Sequence, residues 1–445
     1  MDCATDTGGQ QMSATATAKL DGIDIHSVDR YLSEGYPWQA WDRLRREAPV
    51  YWYDRPGIEP FWAITRYADV RALGSDSSRF INGGPRLRLA SAEHDSRLHG
   101  ARRKRADRHG WDGAEVDDMV YLDAPRHTAF RMLVARQFTP ARCRRMGEEL
   151  TLLAQRFVGE FERDLADAGS QGVDLVEHLA VKLPLATICS MMGVSVDRWS
   201  DIHRWTDSMF NTDSVAWAQP GESRHEMRMR LRIEYFDFLE SLIDEKRVEP
   251  GDDLSSLLVH AKIDGQALSQ QQLHGYLTLL ISAGNETTRN ATTRGILALL
   301  EHPEQVALFE QADQHRVETT VEEVVRWTSP VIQFARTATQ DVSLHGVTIK
   351  AGETIGMWYP SANRDETAFP DPYRFDVTRE PNDHVGFGHG PHFCLGANLA
   401  RWELRAVFAE LARTKTVSKL QTVGDPEWMT DLHVGAISHQ AVSLR

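Results

Sequence analysis

Cys394 stands in the segment FGHGPHFCLG (387–396), directly ahead of a helical run over 397–411. A thiol at a helix N-terminus ionises more easily, because first-turn amides and the helix dipole favour an anion by about 0.3–1 kcal/mol. Gly388, Gly390 and Gly396 let backbone amides approach the sulfur, so the pattern reads as a thiolate that ligates a metal. A second group of reactive side chains is AGNETT (283–288), which sets an acid, Glu286, beside an alcohol, Thr287, as general acid chemistry requires. Gly284 costs a helix interior about 1 kcal/mol relative to alanine, which predicts a local deformation there. In EEVVRW, Glu323 and Arg326 lie three apart and can pair on one helix face. His127 and Arg131 share a face in the same way, and Arg336 sits in the strand-like QFARTAT.

The elements that carry these groups are mostly helical. Ser269 and Gln272 form a capping box for a helix extending to Leu300, long enough to cross the interior with Glu286 and Thr287 near its middle. Helical periodicity spans 128–300, with breaks expected at Pro140, Pro184 and the 216–223 loop. Residues 49–67 read as a short strand pair followed by a helix at 68–73. Strand-like alternation returns over 333–355 with turns at Gly346 and Gly352, and a final helix follows Gly396. From 82 to 118 the apolar pattern dissolves around Arg97, Arg102, Arg103, Lys104, Arg105 and Arg108, and a long mobile loop is expected. Residues 1–22 read as a disordered tail and 23–445 as one mainly α domain with a small β region.

Composition narrows the function classes. Asp and Glu number 64 against 50 Lys and Arg, a net charge of −14, which argues against nucleic-acid binding. The four cysteines show neither CxxC nor finger spacing, so no disulfide framework or zinc site is expected. With no signal-peptide pattern and no run of apolar residues long enough to span a bilayer, a cytoplasmic protein without a membrane span is expected, and no oligomer.

FGHGPHFCLG, preceded in order by AGNETT and EEVVRW, resembles the haem-binding loop, distal acid–alcohol pair and Glu-x-x-Arg pair of the cytochrome P450 family. The resemblance implies a triangular, α-rich prism with a buried haem b held by Cys394. It implies that Ala283, Phe387 and Gly396 border the cofactor and that His127, Arg131, Arg336 and His392 hold its propionates. Glu286 and Thr287 would supply protons, and Glu323 with Arg326 would be structural. The implied activity is monooxygenation of a hydrophobic small molecule with dioxygen. Electrons would come from NAD(P)H through external partners, a ferredoxin and a ferredoxin reductase, since no flavin or nicotinamide fingerprint is visible. The strings SAGNETTRNA and HVGFGHGPHFCLGANLAR look most like actinobacterial enzymes acting on sterol side chains, methyl-branched lipids or terpenes, with Val331, Phe334 and Leu432 in the substrate pocket. A coupling or desaturating tailoring enzyme, a peroxide-driven enzyme and a non-catalytic haem-thiolate sensor are the alternative readings. The arginines 126, 136, 142, 144 and 145 form a possible docking patch for an acidic partner or a solvated face.

Overall fold

The computed structural model describes residues 20, 22–113, 118–311 and 313–445, so nearly all of the expected tail at 1–22 lies outside the described residues. The central element is the helix Gln270–Glu301, opened by the capping box in which Ser269 and Gln272 satisfy each other's backbone amides. It is buried on most sides, its apolar residues lying toward the two ends and its middle polar, with Asn285, Glu286, Thr288, Arg289 and Asn290 all buried. Leu273, Tyr276, Leu277, Ile281, Ile296 and Leu299 are all buried in one large core. Packed with it in that core are Gln314–Thr328, carrying the Glu323–Arg326 pair, and Ala397–Thr414, which follows Cys394.

The main sheet joins distant parts of the chain. Val50–Tyr53 and Phe61–Ile64 pair antiparallel as expected, but Phe61–Ile64 then runs parallel to Thr354–Trp358, which pairs with Gln333–Ala338 and through it with Phe80–Ile81. Arg336 is thereby fixed opposite Ile355. Gly346 and Gly352 take positive φ at the expected turns. In the second sheet Ile437–Leu444 is central, pairing antiparallel with Leu420–Trp428 on one side and Val173–Asp174 on the other.

Three expectations need correction. Pro140 opens the helix Pro140–Arg145, but Pro184 does not break its run. It lies in the first turn of Lys182–Met191, where its missing N–H is least costly. The segment expected as a mobile loop contains an 18-residue helix, Ala92–His109. It lacks an apolar stripe, yet Ala, Arg, Lys and Glu are good helix formers. Glu93 and Asp95 in its first turn and Arg108 and His109 in its last complement the dipole. Its C-terminal end is tied down by His109 stacked on Phe236 and by Arg105 over the Trp111 ring. The side chains of Arg97 and Arg102 lie outside the described residues. Finally, the long helix is continuous through Gly284. A Cβ there would sit 3.3 Å from Ile188, so close approach of Lys182–Met191 accounts for the glycine, and no deformation is needed.

Candidate active site

The loop 387–396 is held by its own backbone. Cys394 N–H donates to Phe387 O at 2.9 Å, and Gly388 N–H donates to Val385 O at 2.9 Å. Gly390 has φ +80°, and a Cβ on it would lie 2.0 Å from the Gly74 carbonyl oxygen, so only glycine fits. At Gly396 a Cβ would meet nothing, and it is this residue's amide that bonds the sulfur. Phe387 packs beneath Arg401, 4.5 Å from its ring centre, and Arg401 is clamped by two bonds to Glu322.

Cys394 has accessible surface although its thiol is strongly desolvated, as expected of a group facing an internal space and not bulk water. The sequence reading of a thiol made acidic by its surroundings is reversed in the bare protein. Burial pushes its pKa up, and the Gly396 amide, Arg131 and Arg401 only partly offset this. The thiolate therefore depends on a metal cation, which deprotonates a coordinating thiol outright.

Four cationic or potentially cationic groups gather beside the loop. His127 and His392 stack with ring centres 3.9 Å apart, and Arg131 donates to Phe393 O at 2.8 Å. Arg336 is buried, and its one hydrogen bond goes to the adjacent Ala335 O. Among the described residues, none of the four has a carboxylate at ion-pair distance. Burial first, and then their neighbours' positive charge, lowers the pKa of both histidines, that of His392 to about 2. A buried group of this kind needs anionic oxygens from elsewhere, and a pair of porphyrin carboxylates fits it. An internal cysteine with an amide-bonded sulfur beside such a cation set fits a thiolate-ligated haem.

Across from the loop, Ala283 and Thr287 have accessible surface in the middle of a largely buried helix, and Thr287 Oγ1 donates to Ala283 O at 2.9 Å. Glu286 is not brought beside Thr287. It is fully buried, its Oε2 2.5 Å from Arg289, and its Oε1 has no hydrogen-bond partner in the protein. Asp207 lies 3.9 Å from Arg289 on the other side. Desolvation raises the Glu286 pKa and Arg289 opposes it. Sequence reasoning missed Arg289, although the i,i+3 spacing in ETTR was available.

Glu323 and Arg326 pair as expected, with bonds of 2.7 and 2.8 Å and neither residue exposed. Arg326 also donates to the carbonyls of Asn363 and Pro372, and Asn363 Oδ1 accepts from Val385 N–H at 2.8 Å. The pair thus reaches the cysteine loop through Asn363 and Val385. The segment 431–435 lies along 330–334, but Val331 and Phe334 pack on the cluster around Val50 and Ile64 whereas Leu432 packs on the one around Tyr36 and Trp41. Val331 bridges Val434, and Ile332 N–H donates to His433 O at 2.8 Å.

This fold and site define a haem-thiolate oxygenase class. Residues 109–434 match the family described as Cytochrome P450, and the chain belongs to that family and is a P450 monooxygenase. It is 37% identical over 405 residues to a methyl-branched lipid omega-hydroxylase of Mycobacterium tuberculosis, covering 89% of this chain and 88% of that one. It is 34% identical over 450 residues to a steroid C26-monooxygenase of Rhodococcus jostii, covering 98% and 88%. A Mycobacterium marinum cytochrome P450 solved in complex with pseudoionone superposes with a TM-score of 0.82 at 34% identity, over 95% of this chain and 98% of that one. Among the described residues no helix is long and apolar enough to cross a membrane.

Proposed function

We propose that this enzyme hydroxylates the terminal carbon of a methyl-branched apolar chain, whether a free lipid or a sterol side chain. The observation that supports this reading is that Ala283 and Thr287, in the middle of a largely buried helix, and Cys394, whose thiol is desolvated, keep accessible surface as residues lining an internal space do; Val331, Phe334 and Leu432 would form its apolar side. The names of the relatives, each acting at a chain end of an apolar molecule, support it. When bound, thiolate-ligated haem supplies the oxidising power that inserts one oxygen atom of dioxygen into a C–H bond.

The chain's own residues do the rest. His127, Arg131, Arg336 and His392 hold the propionates, while Ala283, Phe387 and Gly396 border the ring. The Thr287 hydroxyl, tied to Ala283 O, holds a proton at the edge of the interior. Buried Glu286, with one oxygen on Arg289 and the other unpartnered in the protein, feeds protons toward it. Electrons from NAD(P)H arrive through a ferredoxin reductase and a ferredoxin. The docking face includes exposed Arg136, Arg144 and Arg145, a segment linked to the cysteine helix by Asn398 Nδ2 donating to Phe138 O at 3.0 Å. A cytoplasmic location suits the free Cys143, Cys189 and Cys394.

An optical titration of the haem-loaded protein with sterols, methyl-branched fatty acids, monoterpenes and aromatic acids tests the substrate class. It is followed by product analysis with ferredoxin, reductase and NAD(P)H. A high-spin shift with a branched chain and a terminal alcohol as product are expected. Exclusive oxidation of ring or mid-chain carbons overturns the proposal.

A further inference from the structure

Near Phe334 stands a cation that the site described above does not use. The segment 87–89 runs beside 333–335: Ala335 N–H donates to Leu87 O at 2.7 Å, and the Gln333 amide bonds both Leu89 N–H and Leu89 O. Leu87 and Leu89 are buried in the core, and half-buried Arg88 between them is set beside Phe334 by these bonds. Its Nε is buried without a hydrogen-bond partner, and among the described residues its guanidinium makes no hydrogen bond or ion pair. Neighbouring Arg86 bonds the Glu59 and Pro60 carbonyls through Nη1 and has Asp95 at 3.7 Å as a counter-charge, although its Nε and Nη2 make no hydrogen bond.

Beside Arg88 is His433. It is 7% exposed, its ring stands edge-on to Phe334 at 4.6 Å, and its Nδ1 is buried without a partner. Burial, and after it the positive charge of Arg88, keeps His433 neutral.

We propose that Arg88 and His433 anchor a carboxylate on the substrate, so that this enzyme selects long apolar acids over their neutral counterparts. This rests on the apolar-chain reading above and adds the polar end of the molecule. The guanidinium fork matches a carboxylate in two bonds, and because the His433 ring already bonds the Gln333 carbonyl, its Nδ1 donates a third when the bound acid's charge lets the ring take up a second proton. A neutral ester offers one carbonyl acceptor but lacks the charge and the second strong acceptor oxygen, so it forgoes the charge-assisted, two-bond match.

The test uses the full-length, haem-loaded protein with palmitate and methyl palmitate, read by calorimetry and by the Soret shift. Palmitate is expected to bind at least about tenfold tighter than the ester. Arg88→Gln should weaken palmitate on the order of 10- to 100-fold and leave the ester unchanged, while Arg88→Lys retains part of the preference and Arg86→Gln all of it. Equal affinity for acid and ester in the wild type overturns the anchor without any variant. So does binding of neither molecule by protein with an intact thiolate-haem spectrum, or a preference that survives Arg88→Gln. The two proposals separate by product. Terminal hydroxylation without acid preference removes the anchor alone, and acid preference with oxidation elsewhere removes the terminal-carbon reading alone.

Discussion

Arg326→Ala probes how the buried pair supports the cysteine loop. Arg326 and Glu323 have no exposed surface. Removing the arginine takes two short bonds from the Glu323 carboxylate and leaves the Asn363 and Pro372 carbonyls without that donor. Breaking a buried pair from one side costs about 3–5 kcal/mol. Arg379 Nε, 3.1 Å from the same carboxylate, keeps part of its charge compensated and places the loss near the lower end. Of the three carbonyl bonds lost, that of Arg374 O is covered by Arg379, and the other two add about 0.5–1.5 kcal/mol each, for a total of roughly 4–6 kcal/mol. For a chain of 445 residues the unfolding entropy is about 0.9 kcal/mol per kelvin, so Tm should fall by roughly 4–6 °C. Asn363 also bonds Val385 ahead of the cysteine loop, so haem retention should fall in parallel. Arg326→Lys, which keeps the charge without the fork, should lie between. Scanning calorimetry with the Soret band recorded at each temperature measures both effects. A Tm within about 1 °C of wild type, with haem fully retained, refutes the reasoning.

Other outcomes follow from the same geometry. Cys394→Ser should abolish the thiolate-type ferrous carbonyl band while far-ultraviolet circular dichroism keeps its helical signal; an unchanged band would show that another residue ligates the iron. Thr287→Ala should keep substrate binding but divert NAD(P)H consumption from product to hydrogen peroxide, measured as the ratio of the two, and an unchanged ratio removes Thr287 from the proton path. Glu403 is buried on Ala397–Thr414, and desolvation raises its pKa to about 8 despite the Thr187 and Thr288 hydroxyls. Between the ordinary carboxyl range and pH 8 the unfolded chain holds fewer protons there than the native one, so this residue lowers stability as pH rises, by at most about 1.4 kcal/mol per unit. Glu403→Gln should remove that slope, and urea unfolding at pH 5.5 and 7.5 that shows the same difference from wild type at both would exclude it.

Local features were legible because they are written in neighbouring residues. The capping box at Ser269 and Gln272, the turns at Gly346 and Gly352, the Cys394 loop and the Glu323–Arg326 spacing all act over a few positions. The helix Ala92–His109 was hidden because its sequence has no apolar stripe, while its anchors Phe236 and Trp111 lie outside it. Gly284 was misread because its reason is Ile188, on another helix.

What the sequence by itself determined is the chemical inventory: one cysteine at a helix start, an acid and an alcohol on a long helix, and the cations that a haem-thiolate site requires. Tertiary structure decided what those groups do together. Only folding stacks His127 on His392, buries Arg336 beside them, turns Glu286 onto Arg289 and leaves Arg88 and His433 with unpartnered atoms. It also reversed the expected acidity of Cys394, because desolvation is set by everything packed around a group, whereas a helix terminus contributes only a short-range partial charge.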